Sequence, residues 1–169
     1  MPHPLVDQLR FTRTEFIRGV SHVSDEDGRR RFLPINCLAW NVGHLAWQEQ
    51  RTFLHYGQGR LLFPEIDREF TYGAPASTPS LKGMVEAWSA ITQAAEPWLD
   101  VATSELLAKN VANPKGKLLG TTYGNLLQRV IYHYWYHTGE NQAIRQLLGH
   151  ERLPVFVGDI DSKAPYRPE

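Results

Sequence analysis

Apolar residues recur along this chain at the spacing of a helix. Leu5, Leu9, Phe16, Val20 and Val23 fall on turns of about 3.6 residues and predict an amphipathic helix from about Pro4 to His22. The polar run SDEDGRRR ends it. Pro34 followed by Asn36, a good N-cap, predicts a second helix with Leu38, Val42, Leu45 and Phe53 on one stripe, closing near Gly57. From Gln58 to Ser77, with Pro64, Gly73 and Pro75, no periodicity is sustained, so this stretch reads as a long surface loop. Thr78 and Pro79 mark a helix start, and Leu81, Val85, Trp88, Thr92, Ala95 and Leu99 then face one way, with a kink expected at Pro97. After the turn NPKGK, Thr121 or Thr122 caps a fourth helix that runs to Leu148 and stops at Gly149. A proline-containing tail, about 150–169, follows.

Strand signals are weak. The best alternating candidate, Leu153 to Val157, contains Pro154. The expected class is therefore all-α, a single domain over 1–169. Four helices of this length pack best as a four-helix bundle, with a long crossover loop between the second and third.

Composition narrows the partners. The 169 residues suit one compact domain, and 18 basic against 18 acidic side chains leave no net charge to drive binding to nucleic acid or a membrane surface. A small-molecule substrate is the expected partner, with no nucleic acid and no membrane. No run approaches the roughly 20 apolar residues of a membrane-spanning helix. One cysteine forms no internal disulfide, and the opening residues have no apolar core of signal-peptide type, so a cytoplasmic location is expected.

Two histidines carry the chemistry. His133 and His137 are four residues apart on the fourth helix, on one stripe with Leu126, Val130, Ile144 and Leu148. An i, i+4 pair brings two imidazoles to one cation, and a bound cation offsets the burial of two polar rings. A third ligand is needed for a selective site. His44 is the best candidate, although an ideal helical wheel leaves it at the edge of its stripe, grouped with Asn41 and Gln48; neighbouring Gly43 permits close approach of a backbone or ligand. His3, His22, His55 and His150 lie at helix ends or in tails and are poorer candidates.

The pairing of WNVGHLAWQE on the second helix with HYWYHTGENQAIRQLLG on the fourth resembles the DinB-like metal-binding bundles, in which a lone histidine and an HxxxHxG(Q/E) motif form a three-histidine site. The resemblance covers nearly the whole chain. It implies a four-helix bundle, often a homodimer, holding a divalent metal through His44, His133 and His137. Where the family commonly has Gln, this chain has Glu140, a carboxylate near the metal that ligates, bonds a bound water or only caps the stripe.

Three histidines leave a coordination position open, the arrangement of a reactive rather than a closed site. Nitrogen donors suit zinc or nickel first, with copper and iron also compatible. Relatives implied by the resemblance include transferases and isomerases that use low-molecular-weight thiols, so the expectation is a metal-dependent enzyme of thiol S-transferase or isomerase type with Glu140 as its acid–base group. Gln48, Glu49, Tyr134 and Tyr136 are candidate supporting groups. The alternative is a non-catalytic, dimerising metal-binding module of bacterial stress response. The five tryptophans are read as core, Cys37 as a small buried apolar group, and Arg29 to Arg31 as a solvated loop.

Overall fold

The computed structural model describes residues 2–168. In chain order the helices are α1 (Pro4–Val20), α2 (Asp25–Arg29) and α3 (Leu38–Glu49), whose axis continues as a wider π-helical stretch over Gln50–Tyr56. Then come α4 (Pro64–Glu69), α5 (Leu81–Asp100) and α6 (Ser104–Ala108). Strands β1 (Asn110–Ala112) and β2 (Leu118–Thr122) pair antiparallel, with Asn110 opposite Thr122 and Ala112 opposite Leu118. The long helix α7 (Tyr123–Leu147) and the short α8 (Ile160–Lys163) complete the order.

The fold is mostly helical, as the periodicity predicts, with one small sheet added. That hairpin is built around the predicted NPKGK turn: Asn113 Oδ1 accepts from the N–H of Lys115 and of Lys117, and Gly116 takes a positive φ of 79°. Strands of three and five residues are too short to register as alternation. The segment Leu153 to Val157 forms no strand.

Helix ends follow local chemistry more than periodicity. α3 opens at Leu38 with Cys37 at its cap, since a turn from Phe32 to Ile35 keeps Pro34 and Asn36 outside. α5 starts at Leu81, not at Thr78 and Pro79. Ser80 Oγ accepts from Gly83 N–H, and Asp25 Oδ1 accepts from both the Ser80 hydroxyl and Leu81 N–H. It runs on through Pro97 to Asp100. The stretch expected to be loop carries α4, six residues that begin on a proline and bury Ile66. Thr122 caps α7 through Asn125 N–H, as predicted, and Gly149 leaves it with a φ of 79°.

The four long helices share one core. α3 packs against α5 and α7, α1 packs against α7, and side chains such as Phe16 and Trp88 join α1 to α5. Phe16, Leu45, Phe53, Ile91, Leu99, Leu127 and Tyr134 are fully buried at its centre. Each large apolar side chain so enclosed contributes about 1.5–3 kcal/mol.

A polar network crosses this core. Arg13 of α1 donates from Nε and Nη2 to the two carboxylate oxygens of Glu49 at 2.7 Å each, and from Nη1 to Glu96 at 2.6 Å. The Tyr134 hydroxyl donates to Glu49 at 2.8 Å and accepts from Trp88 Nε1 at 2.6 Å. Burial opposes the Arg13 charge, but Glu49 outweighs it and raises the guanidinium pKa. Burial and the Glu49 charge raise that of Tyr134. The network fixes the facing of α1, α3, α5 and α7, and so the register of the histidines.

Candidate metal centre

His44 lies in the middle of α3, a helix with no exposed residue, so the edge of stripe suggested by an ideal wheel does not exist here. Its ring stacks between Trp40, at 4.8 Å between centroids, and Trp47, at 5.1 Å. Its Nδ1 meets the backbone oxygen of Phe70 at 2.7 Å. The close approach at Gly43 is made by Phe70 itself: a Cβ there would stand 2.6 Å from the Phe70 ring and 2.9 Å from Met84 Sδ.

On α7 the buried face is rotated relative to the predicted stripe. Leu127, Val130, Tyr134, Asn141 and Ile144 form its centre, Leu126 and Leu148 are only partly buried, and the histidines stand on the flank toward α3. His137 is buried and His133 half-buried. His133 Nδ1 meets Gln48 Oε1 at 2.7 Å, and His137 Nδ1 meets Glu140 Oε2 at 2.7 Å.

One ring nitrogen from each of His44, His133 and His137 lies within 4.8 Å of the others, and the Nε2 atoms of His133 and His137 are 3.0 Å apart. Every Nδ1 faces an oxygen: a backbone carbonyl, an amide and a carboxylate. Such oxygens hold the proton on Nδ1 and leave the Nε2 lone pairs to converge. A tetrahedral ion with bonds of about 2.0–2.1 Å holds its nitrogens about 3.3 Å apart, near the spacing of the α7 pair. Burial lowers the pKa of His44, and burial with the neighbouring His137 and His44 pushes His133 down to about 3. Neutral rings are the ligand form. The donor set fits a divalent cation.

Glu140 stands behind His137, not on the Nε2 side. Its Oε2 also accepts from Asn41 Nδ2 at 2.9 Å, tying α7 to α3. Gln48 supports His133, as its place beside the motif suggests, whereas Glu49 and Tyr134 belong to the Arg13 network and do not face the histidines. Tyr136 is exposed, with its ring edge-on to His137 at 5.0 Å. Phe70 escapes sequence reasoning, because its backbone oxygen acts from the end of a six-residue helix without periodicity.

The remaining candidates lie apart. His3 caps α1 through Leu5 N–H, and His150 reaches Asp27 at 3.3 Å. Cys37 is buried and its thiol pKa is raised by that burial. Arg29 bonds Thr78 O, Arg30 covers the Phe32 ring and Arg31 bonds Ile35 O. Trp88 and Trp98 are core, as read, while Trp47 also walls a cavity of about 790 Å³ that opens beside His44 and His133. No helix among the described residues is long and apolar enough to cross a membrane.

No curated protein matches the chain. The DinB superfamily matches it over residues 4–140, a span that contains all three histidines and ends on Glu140.

Proposed function

The chain belongs to the DinB superfamily, and from that premise and the histidine geometry we propose a metal-dependent enzyme that acts on a small molecule, with His44, His133 and His137 as ligands to zinc or nickel. One observation carries the reading: three Nδ1 atoms each meet an oxygen at 2.7 Å, which leaves three Nε2 lone pairs for one cation. The bound ion supplies a Lewis acid that makes a coordinated thiol or water more acidic. The protein residues orient and shield. Phe70, Gln48 and Glu140 fix the ring tautomers, and Trp40 and Trp47 exclude water from the faces of His44.

The reaction class is thiol transfer or isomerisation with a low-molecular-weight thiol as co-substrate. The thiol class rests on the resemblance of the histidine motif, while the adjoining cavity supports catalysis in general by giving a substrate room beside His44 and His133. The same cavity disfavours a purely non-catalytic stress-response module, for which an occluded site would suffice. Glu140 serves as a positioning carboxylate for His137. We take the four long helices as a four-helix bundle in which residues 57–80 make the crossover, and the protein as a cytoplasmic homodimer.

The test is elemental analysis of protein purified without a His-tag, beside a His133→Ala variant. About one zinc or nickel per chain is expected in the first and a large loss in the second. Equal metal in both overturns the site. Assay of the loaded protein with thiols and small electrophiles then separates enzyme from module.

A further inference from the structure

A second cavity, of about 510 Å³, adjoins the one beside the histidines, and Trp47, Gln48, Arg51, Thr121 and Arg129 line both. We propose that the two cavities are one channel for an organic carboxylate, and that Arg51 and Arg129, at their seam, bind its anionic group. The proposal names the substrate class for the site described above and rests on that reading only for what happens at the histidine end.

Neither cavity is lined by an aspartate or glutamate. Arg51 and Arg129 form no ion pair with a carboxylate among the described residues, whereas Arg10, Arg13 and Arg18 all do. Two uncompensated guanidinium groups in a concave, partly apolar setting attract an anion more strongly than the same charges on an open surface.

Arg129 precedes His133 by one helical turn on α7, and Arg51 follows His44 by seven residues along the axis of α3. Both therefore look toward the ligand side of their helices. The Arg129 charge is among those that depress the basicity of His133, as its proximity requires.

Arg51 Nε donates to the Tyr56 hydroxyl at 2.8 Å, and its guanidinium lies 5.3 Å from the Trp47 ring centroid and 5.5 Å from that of Tyr56. This grip leaves the terminal nitrogens to present a planar fork, the geometry that matches a carboxylate. Leu119 and Leu126 add apolar wall to the outer cavity, which suits an organic body rather than a bare inorganic ion.

The test uses 3-phenylpropanoate and its neutral amide, titrated calorimetrically into the full-length protein after removal of metal by chelation. The acid is expected to bind at least tenfold tighter than the amide, and more weakly as salt rises. Arg51→Gln and Arg129→Gln are each expected to weaken the acid about tenfold, and the double variant to bring it down to the amide, with thermal unfolding unchanged. Equal binding of acid and amide, no binding of the acid, or undiminished binding by the double variant overturns the proposal. Metal content measured on the same preparations before chelation keeps the two readings apart. A wild-type protein without metal removes the metal centre and leaves the arginine result standing, while normal metal with unaffected arginine variants removes the carboxylate channel alone.

Discussion

The Nε2 atoms of His133 and His137 lie 3.0 Å apart, one helical turn from each other on α7. Both rings are held from behind, by Gln48 and by Glu140. Two lone pairs at that distance repel unless a cation lies between them, so the supporting oxygens keep in place an arrangement that the rings alone would relax. A cation held at these Nε2 atoms would thus be linked to the supporting groups, so that weakening either would weaken the other.

Glu140→Gln tests the support directly. The amide keeps an oxygen that can face His137 Nδ1 but loses the charge that raises ligand basicity. Zinc affinity, measured by competition against a chromophoric chelator, is expected to fall about 10- to 100-fold, as for other outer-shell partners. Thermal unfolding of the chelated protein should change little. Unchanged zinc affinity shows that the Glu140 charge adds nothing and that an oxygen facing His137 Nδ1 is sufficient.

Gly43→Ala probes the opposite flank. The added methyl would sit 2.6 Å from the Phe70 ring, so Phe70 must move, and its carbonyl is what holds His44 Nδ1. Urea unfolding is expected to show a loss of about 1–3 kcal/mol from overpacking, with weaker zinc binding in addition. A variant that unfolds like wild type yet binds zinc more weakly still supports the link from Gly43 through Phe70 to His44; unaltered zinc affinity breaks it.

The long helices were legible because their apolar periodicity spans three or more turns, and the i, i+4 histidines because they break that periodicity. His44 was legible as a candidate and not as a position, since α3 is enclosed on every side and offers no polar face to set its phase. The helix α4 and the hairpin were hidden for different reasons. The start of α4 is set by a contact from the preceding helix, Gln50, whose side chain accepts from the N–H of Leu62 and of Phe63, while the hairpin forms on a legible turn with strands of three and five residues, too short to show alternation. Arg51 and Arg129 do carry a sequence signal, their spacing from His44 and His133, but it acquires meaning only once a cavity joins the two helices.

Glu49→Gln is expected to be the most damaging polar substitution in the core. It leaves Arg13 with a neutral partner on two of its nitrogens, and the Arg13 side chain is only 6% exposed, so water cannot solvate the guanidinium in its place. A loss of about 3–5 kcal/mol is expected from denaturant unfolding. Asp100→Asn, which removes the exposed partner of Arg10, should lose under about 1 kcal/mol. Comparable losses in the two variants would contradict the role assigned to the Arg13 network.

The tail should detach in acid. Glu15 accepts from Arg18 and from the N–H of Gly158, and Arg18 in turn donates to Val155 O and covers the Phe156 ring. Burial opposes the Glu15 charge, but these hydrogen bonds outweigh it and hold the carboxyl below its ordinary value of 4.5. A carboxyl depressed in the folded state contributes stability that is complete above its unfolded pKa and is lost as pH falls through the folded one. Release of residues 153–158 is therefore expected below about pH 4.5, read as faster amide exchange there and as a change in Trp135 fluorescence when Phe156 leaves its ring. Glu15→Gln should weaken the tail at neutral pH by about 1–2 kcal/mol, the lower part of the range for charged hydrogen bonds because Arg18 is partly exposed, and should flatten the acid transition. An acid transition identical in wild type and Glu15→Gln would place the responsible carboxylate elsewhere.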